Sequence, residues 1–398
     1  MGPLEGIKVV ELATWILAPA AAAILAEMGA EVIKMEEPVG GDPSRGLSIG
    51  PVKVAPLFLL ENRNKKSVAI NLATEKGGEI AHRLLASADV FLSNMPEEVL
   101  TKLGMDYETL SRVNPRLIYA SATAYGPRGP EAGRRNFDTA AFWTRGGFMH
   151  YLGEPDSDPP AQQVGGFGDH VGCVHIALGV MSALYHRERT GVGQRVDVSL
   201  LGTGVWTSGL PVQLALLFGI SLPRGGRKAA INPLYSNYCS KDGKWFQLAL
   251  LQSERYWPDL CRAMDREDLI DDPRYGAPGK RTENVADFVA LLDETFATRT
   301  MDEWAERFER HGLLWDRSRD FLEIANDPQV VANDYVVEID DPALGPTKLV
   351  AFPVQLEKSK GSIRAGAPEH GQHTEEILLG MGYSWDDIAR LKDEKVIL

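Results

Sequence analysis

Cysteine is scarce in this chain: its 398 residues include three, Cys173, Cys239 and Cys261. They form no CxxC pair and cannot all be bridged, which excludes a disulfide framework and a cysteine zinc site and suits a reducing cytoplasm. No run of about 20 uncharged apolar residues occurs, so no membrane span is expected. The best stretch, Ala13 to Ile33, is interrupted by Pro19, Glu27 and Glu31, and the flank before it lacks the basic region and cleavage site of a signal peptide. Positive charge is also in deficit, with 42 Lys and Arg against 55 Asp and Glu and a net charge of −13. That balance excludes general nucleic-acid binding, which needs a cationic surface.

Several common catalytic signatures are missing as well. There is no Gly-x-Ser-x-Gly elbow, no P-loop and no His-Glu-x-x-His helix, which removes the commonest serine hydrolase, nucleotidase and zinc protease readings. His170 and His175 do not have the i, i+4 spacing that puts two metal ligands on one helical face, so structural roles and no metal are expected.

What is there reads as soluble and globular, with 44% hydrophobic and 24% charged residues. The length exceeds the size at which one core stops growing, so two domains are expected. Strand candidates are Ile7 to Leu12, Ala30 to Met35, Ser67 to Leu72, Asp89 to Ser93, Leu117 to Ala122 and Val196 to Leu200. Helical patterns such as Thr74 to Ala86 separate them. Alternation of this kind predicts an α/β fold with a parallel, doubly wound sheet.

The segment Pro223 to Lys228, rich in Gly and Arg, reads as a linker after the helical stretch Gly202 to Phe218. A smaller α+β unit should follow, with a strand at Gly243 to Leu250 and helices at Glu254 to Met264, Thr282 to Thr295 and Met301 to His311. The domain expectation is therefore 1–222, 223–326 and a return over 327–398, closing with helices near Glu369 to Met381 and Trp385 to Lys392.

The first strand and helix suggest dinucleotide binding, and Glu36 mimics a ribose-binding acid. The glycines that let a backbone approach a pyrophosphate are absent from Thr14-Trp15-Ile16-Leu17-Ala18-Pro19, which excludes that reading. The most informative residue is Asp169, at the end of Gly165-Gly166-Phe167-Gly168-Asp169-His170 and at the start of a long apolar helix. Glycines clear its approach and a helix start favours anions, so it suits a carboxylate nucleophile, or equally an ordinary N-cap. Cations cluster at Asn62-Arg63-Asn64-Lys65-Lys66, with Lys102 and Arg134-Arg135 further on. They read either as a solvated face or as partners for a ligand's phosphates.

A family resemblance enters through Ala30-Glu31-Val32-Ile33-Lys34-Met35-Glu36, Gly41-Asp42-Pro43-Ser44-Arg45, Asn62-Arg63-Asn64-Lys65-Lys66-Ser67, Asn114-Pro115-Arg116-Leu117-Ile118-Tyr119-Ala120 and Phe137-Asp138. It continues through Gly168-Asp169, Ala183-Leu184-Tyr185-His186-Arg187, Thr190 to Leu200, Asn232-Pro233-Leu234-Tyr235 and Lys241-Asp242-Gly243-Lys244-Trp245. In this order the segments resemble the class III CoA-transferases, the CaiB/BaiF family, over nearly the whole chain.

The resemblance implies a Rossmann-like large domain built from both chain ends, a smaller inserted domain and an interlocked homodimer. It implies transfer of CoA from an acyl-CoA to a free carboxylic acid, with CoA as substrate and no tightly bound cofactor. Asp169, after Gly168, would be the nucleophile, forming first an aspartyl anhydride and then an aspartyl-CoA thioester. Asp138 would be the second acid. Positions implied to meet CoA are Ile16, Arg45, Arg63, Lys65, Leu72, Asn94, Met95, Lys102, Arg135 and Phe137.

Ile16 stands where formyl-CoA transferases have glutamine, and their second glycine loop has only Gly225-Gly226 as a remnant. Oxalate and formate are therefore not expected as acyl groups. Phe137 stands where α-methylacyl-CoA racemases of the family have their histidine base, which puts a racemase second. A catalytically silent CoA-binding homologue is the third reading. Segments around Asn136 to Gly147 look most like members acting on aryl, enoic, 2-hydroxy or bile acids, and Trp15, Ile16, Phe142 and Trp143 would suit a large apolar acyl group if they face the site.

Overall fold

A computed structural model describes residues 2–48, 55–153, 160–342 and 344–398. The chain forms two compact units, one of residues 1–148, 162–213 and 328–398, the other of residues 149–161 and 214–327. The sequence reading put the smaller unit at 223–326; the compact unit also takes in 149–161 and 214–222. The helical stretch read as Gly202 to Phe218 divides into Leu200–Thr207 and Gly209–Phe218, broken at Ser208.

The larger unit is organised on six strands: β1 (Lys8–Leu12), β2 (Glu31–Glu36), β3 (Lys66–Ala69), β4 (Val90–Ser93), β5 (Ile118–Thr123) and β6 (Arg195–Ser199). They lie in the order β3-β2-β1-β4-β5-β6, all parallel. This is the doubly wound order, with its reversal between β1 and β4, and such sheets open a ligand crevice beyond the strand carboxyl ends at that reversal. The central strands are nearly continuous apolar runs because helices cover both faces of a parallel sheet.

The helices of this unit begin with α1 (Leu17–Glu27), α2 (Pro56–Asn62), α3 (Glu75–Ala86), α4 (Glu97–Lys102) and α5 (Tyr107–Val113). After the single turn α6 (Phe148–Tyr151), of which only Phe148 belongs to this unit, come α7 (Phe167–Thr190) and α8 (Leu200–Thr207). Side chains stop several starts from fraying: Thr74 accepts from Gly77 N, Asp106 from Thr109 N and Ser199 from Gly202 N. α1 is buried along its length, and its run Ala20 to Ala23 keeps it slim. α7 meets it closely, since a Cβ on Gly172 would stand 2.6 Å from Leu17 Cδ1.

By length and composition α7 could cross a membrane; here Ile176, Ala177, Val180, Ala183 and Leu184 bury one face of it within the unit. The chain end returns to cover edge strand β3. Ser67 N donates to His373 Nδ1, His373 N to Ser67 O, and Ala69 N to Thr374 Oγ1.

The smaller unit has a three-stranded antiparallel sheet, β7 (Asn237–Cys239), β8 (Trp245–Leu248) and β9 (Trp315–Arg317). Its own core joins Tyr238, Phe246, Trp257, Phe288, Phe296, Trp304 and Phe308. The helices read at Glu254, Thr282 and Met301 appear as Ser253–Ala263, Val285–Phe296 and Met301–Arg310, the last held by a Thr300–Glu303 capping box.

Glu36 at the end of β2 carries a measurable electrostatic consequence. Burial works against its ionisation, yet bonds from Arg45 Nε and Nη2, the Lys34 charge and the Ser67 hydroxyl bring its carboxyl from 4.5 down to about 2. A depressed carboxyl stabilises the fold above pH 4.5, and that stability is lost as pH falls towards 2. Arg45→Met is expected to remove about 3 kcal/mol at pH 7 and to flatten the decline in urea-unfolding stability between pH 5 and 2. A decline as steep as the parent's would remove Arg45 from this account.

Candidate active site

The turn after β1 is held from beneath by buried charges. Lys34 Nζ lies 2.8 Å from Glu11 Oε1 and 2.9 Å from Asp42 Oδ2, and it donates to Ala13 O at 2.8 Å. Lys65 Nζ completes the group, 2.6 Å from Glu11 Oε2 and donating to Pro19 O and Asn62 Oδ1. Above them Trp15 adopts φ 70° and donates its N–H to Asp42 Oδ1 at 3.3 Å. Asn94, just past β4, brackets Thr14: its Oδ1 accepts from Thr14 N at 3.1 Å and its Nδ2 donates to Thr14 O at 2.7 Å.

This arrangement alters the expectation for several cations. Lys65 and Arg63 are buried and already paired, Arg63 with Glu27 Oε2 at 2.8 Å and with Leu60 O, so neither presents a charge to a phosphate. Charges taken out of water require partners within the fold, and these have found them. Arg45 gives its guanidinium to Glu36 and Pro368 O and lies over the Phe58 ring. Both polar ends of Asn94 are spent on Thr14. Leu72 and Met95 are half-buried against the apolar core of the larger unit. Lys102, in the last turn of α4, and Arg135 are exposed, and neither forms an ion pair among the described residues.

The second half of the site is the start of α7. Gly166 is its N-cap in the left-handed region, φ 81°, with no side-chain cap bond, and the helix runs from Phe167. Asp169 therefore lies within the first turn, which overturns the N-cap reading; the helix is entered through a glycine turn, leaving the carboxylate uncommitted. No hydrogen bond from the described residues reaches it. Gly168 permits a close approach, because a Cβ there would stand 2.5 Å from Phe142 Cγ. Phe142 and Trp143 are thus core beneath the helix start, the first stacked on Phe148 at 4.7 Å between centroids.

Asp138 and Ile16 reach the same place. Asp138, buried after β5 at the entry to a π-helical turn (Thr139–Thr144), accepts from Gly168 N at 3.2 Å and from Gln163 Nε2. Ile16 Cδ1 lies 3.0 Å from where a Gly166 Cβ would stand. Exposed rings flank them: Phe137 is 61% exposed and meets Trp15 edge-on at 5.9 Å, and Phe167 is 48% exposed. The structure thus brings together Asp169, Gly168, Asp138, Ile16 and Phe137.

Sequence reading missed Glu61, Gln163 and the part played by His170. Glu61 is buried on α2, and its Oε1 lies 2.9 Å from His170 Nε2. Nothing local marks it, since its partner is far along the chain.

Burial raises the Asp169 carboxyl from 3.8 to about 7, with Asp138 and Glu61 adding to the rise and His170 opposing it. An ionised carboxylate here is poorly solvated and has no bonding partner, conditions that favour attack on an electrophilic carbon. The raised value also has a stability sign. Stability is full below the unfolded value of 3.8 and is lost as pH rises to about 7. Asp169→Asn is expected to stabilise the protein at pH 8 by up to about 4 kcal/mol and to leave it unchanged near pH 4, as thermal melting across pH would read. A variant no more stable than the parent at pH 8 would contradict the strained carboxylate.

Comparison with known proteins identifies the family. Residues 4–374 match the family described as CoA-transferase family III. The chain is 36% identical to the (R)-2-hydroxy-4-methylpentanoate CoA-transferase of Clostridioides difficile, covering 99% of each chain. It is 35% identical to the cinnamoyl-CoA:phenyllactate CoA-transferase of Clostridium sporogenes, covering 99% of this chain and 97% of that one. Among solved structures, a CaiB/BaiF family protein from Brucella suis is similar at a TM-score of 0.84 and 30% identity, over 96% of this chain and 99% of that one. The chain belongs to the class III CoA-transferase family and is a CoA-transferase.

Proposed function

We propose that this enzyme moves CoA from an acyl-CoA to a bulky or apolar free carboxylic acid through covalent intermediates on Asp169. The observation that carries the reading is the uncommitted, poorly solvated Asp169 carboxyl, with Gly168 and Asp138 beside it. Asp169 attacks the thioester carbonyl, the C–S bond breaks, and a mixed anhydride and CoA thiolate result. The thiolate then attacks the aspartyl carbonyl, releasing the first acid and leaving an aspartyl-CoA thioester. The acceptor carboxylate attacks that thioester, and the expelled thiolate cleaves the new anhydride at the acyl carbonyl, giving the new acyl-CoA and free Asp169. The sequence needs no net proton transfer, and each step has a good leaving group. Asp138 orients Gly168 through its backbone N–H.

For CoA itself, Lys102 and Arg135 are the exposed cations suited to its phosphates, with the turn at Ile16, Asn94 and Met95 along its path. Trp15, Ile16, Phe137 and Phe167 favour an apolar acyl group over a small charged one. The named acids of the two relatives, 2-hydroxy-4-methylpentanoate and phenyllactate, fit that preference. No resident cofactor or metal enters this scheme.

A homodimer is part of the proposal. Val174, Leu178 and Tyr185 line one exposed face of α7, and Val205, Trp206 and Leu210 are exposed just beyond it. An apolar surface of this kind suits burial against a second copy. The acidic charge and sparse cysteine support a cytoplasmic setting.

The test combines cinnamoyl-CoA, phenyllactate and hydroxylamine with the wild-type protein. A hydroxamate on the Asp169 peptide is expected by mass spectrometry, and Asp169→Ala is expected to lose about 10³-fold or more in transfer rate. Undiminished transfer by that variant would sink the assignment. Rapid exchange of the α-proton of a 2-methylacyl-CoA into deuterated water without an acceptor acid would favour the racemase reading instead, against the absence of a histidine at Phe137.

A further inference from the structure

His170 follows Asp169 directly, and both nitrogens of its ring are engaged. Nδ1 lies 2.7 Å from Gly166 O, and Nε2 lies 2.9 Å from Glu61 Oε1. The Gly166 carbonyl can only accept, so Nδ1 carries a proton, and the Glu61 carboxylate, which accepts no hydrogen bond at Oε1, stands at ion-pair distance from Nε2, where a second proton is favoured. The geometry therefore calls for imidazolium. Glu61, with its side chain 2% exposed, accepts no hydrogen bond at Oε1 among the described residues, so the nearby His170 ring is what compensates that oxygen. A buried carboxylate needs such compensation, and the contact with Glu61 in turn holds His170 charged up to about 9.

The same ring reaches back over the first turn of α7. Gly166 O accepts from His170 N at 2.9 Å as well as meeting Nδ1, so one residue clamps the left-handed glycine from two directions. Ile16 closes against that glycine from the β1 side. Around Asp169 the titratable groups are Asp138 after β5, Glu61 on α2, and His170 and Cys173 on α7. Arg63 and Lys65, next to Glu61 in sequence, are turned to Glu27 and Glu11. His170 is thus the cation at ion-pair distance from Glu61 and beside Asp169, with Lys65 acting on Glu61 from further away.

We propose that the His170 imidazolium is a positioning residue for CoA transfer: it anchors the Gly166 turn to α2 through Glu61 and holds a fixed positive charge beside Asp169. This rests on Asp169 being the nucleophile. It assigns His170 no proton transfer, since both ring nitrogens are committed. Without that charge, two carboxylates oppose the ionisation of Asp169 and the reactive form is reached only at higher pH. Neutralising Glu61 removes one of those carboxylates together with the support for the His170 charge, so the two changes offset.

The test compares wild type, His170→Gln, His170→Arg, Glu61→Gln and the double variant His170→Gln/Glu61→Gln. Two readouts are taken across pH 5.5 to 9.5: kcat/KM for transfer, and reactivity of Asp169 towards a water-soluble carbodiimide, followed by peptide mass. His170→Gln should move the acid limb up by about one pH unit, a loss of about tenfold at pH 6 that recovers by pH 9. Glu61→Gln removes a carboxylate and with it the support for the His170 charge, so it and the double variant should both keep a midpoint near the parent's, and His170→Arg, which keeps the charge, should retain the parent midpoint. A loss uniform across pH with unchanged midpoints in both readouts would overturn the charge role. If Asp169→Ala keeps its activity, the nucleophile reading has failed, and the carbodiimide titration still decides whether His170 sets the ionisation of Asp169.

Discussion

One buried ammonium holds the site together. Lys34 stands in β2 beside Glu11 of β1 and joins that carboxylate, Asp42 and the Ala13 carbonyl with no exposure to water. Burying three such charges is not an efficient way to stabilise a sheet, since an apolar group of the same shape often does as well. Their effect is on geometry. They hold a non-glycine turn in which Trp15 sits at φ 70°, a conformation that costs on the order of 1–3 kcal/mol and persists only when its surroundings over-determine it. Through that turn Ile16 is set against Gly166, and so beside Asp169.

The α7 side obeys a matching steric constraint. Gly168 lets the Phe142 ring lie directly under the helix start, and the aromatic stack below it gives the proposed nucleophile a packed floor. With no hydrogen bond from neighbouring side chains and two carboxylates nearby, ionised Asp169 is held in an unfavourable state, which the proposed reaction with a thioester would relieve. Stability and activity are therefore set against one another at this residue, as is common where a reactive group must remain unsolvated.

Much of this was readable in the sequence, for physical reasons that differ by element. Five of the six strands appear within one residue of their predicted bounds, and β3 ends three residues early at Ala69, because buried parallel strands are built around apolar runs. Thr74 begins its helix where the sequence pattern placed the start, through a local bond to Gly77 N. The charge run at Arg63 to Lys66 was harder, because a cation's partner is set by tertiary packing: Arg63 meets Glu27 and Lys65 meets Glu11, contacts that no local window contains. Glu61 and His170 were invisible as a pair for the same reason. The N-cap reading of Asp169 failed because the preceding glycine adopts the left-handed turn and starts the helix earlier.

Clusters of buried charge and a glycine-entered helix thus converge on one carboxylate, and the central claim is that this carboxylate is covalently consumed and regenerated at each turnover. Oxygen isotope transfer tests it most directly. When an acceptor acid that supports turnover is supplied with both carboxylate oxygens as 18O, the bridging oxygen of the second anhydride stays on the enzyme as the thiolate attacks the acyl carbonyl. The expected result is one 18O in the Asp169 peptide after a single turnover; direct passage of that oxygen to the released donor acid, with none on Asp169, would contradict the account.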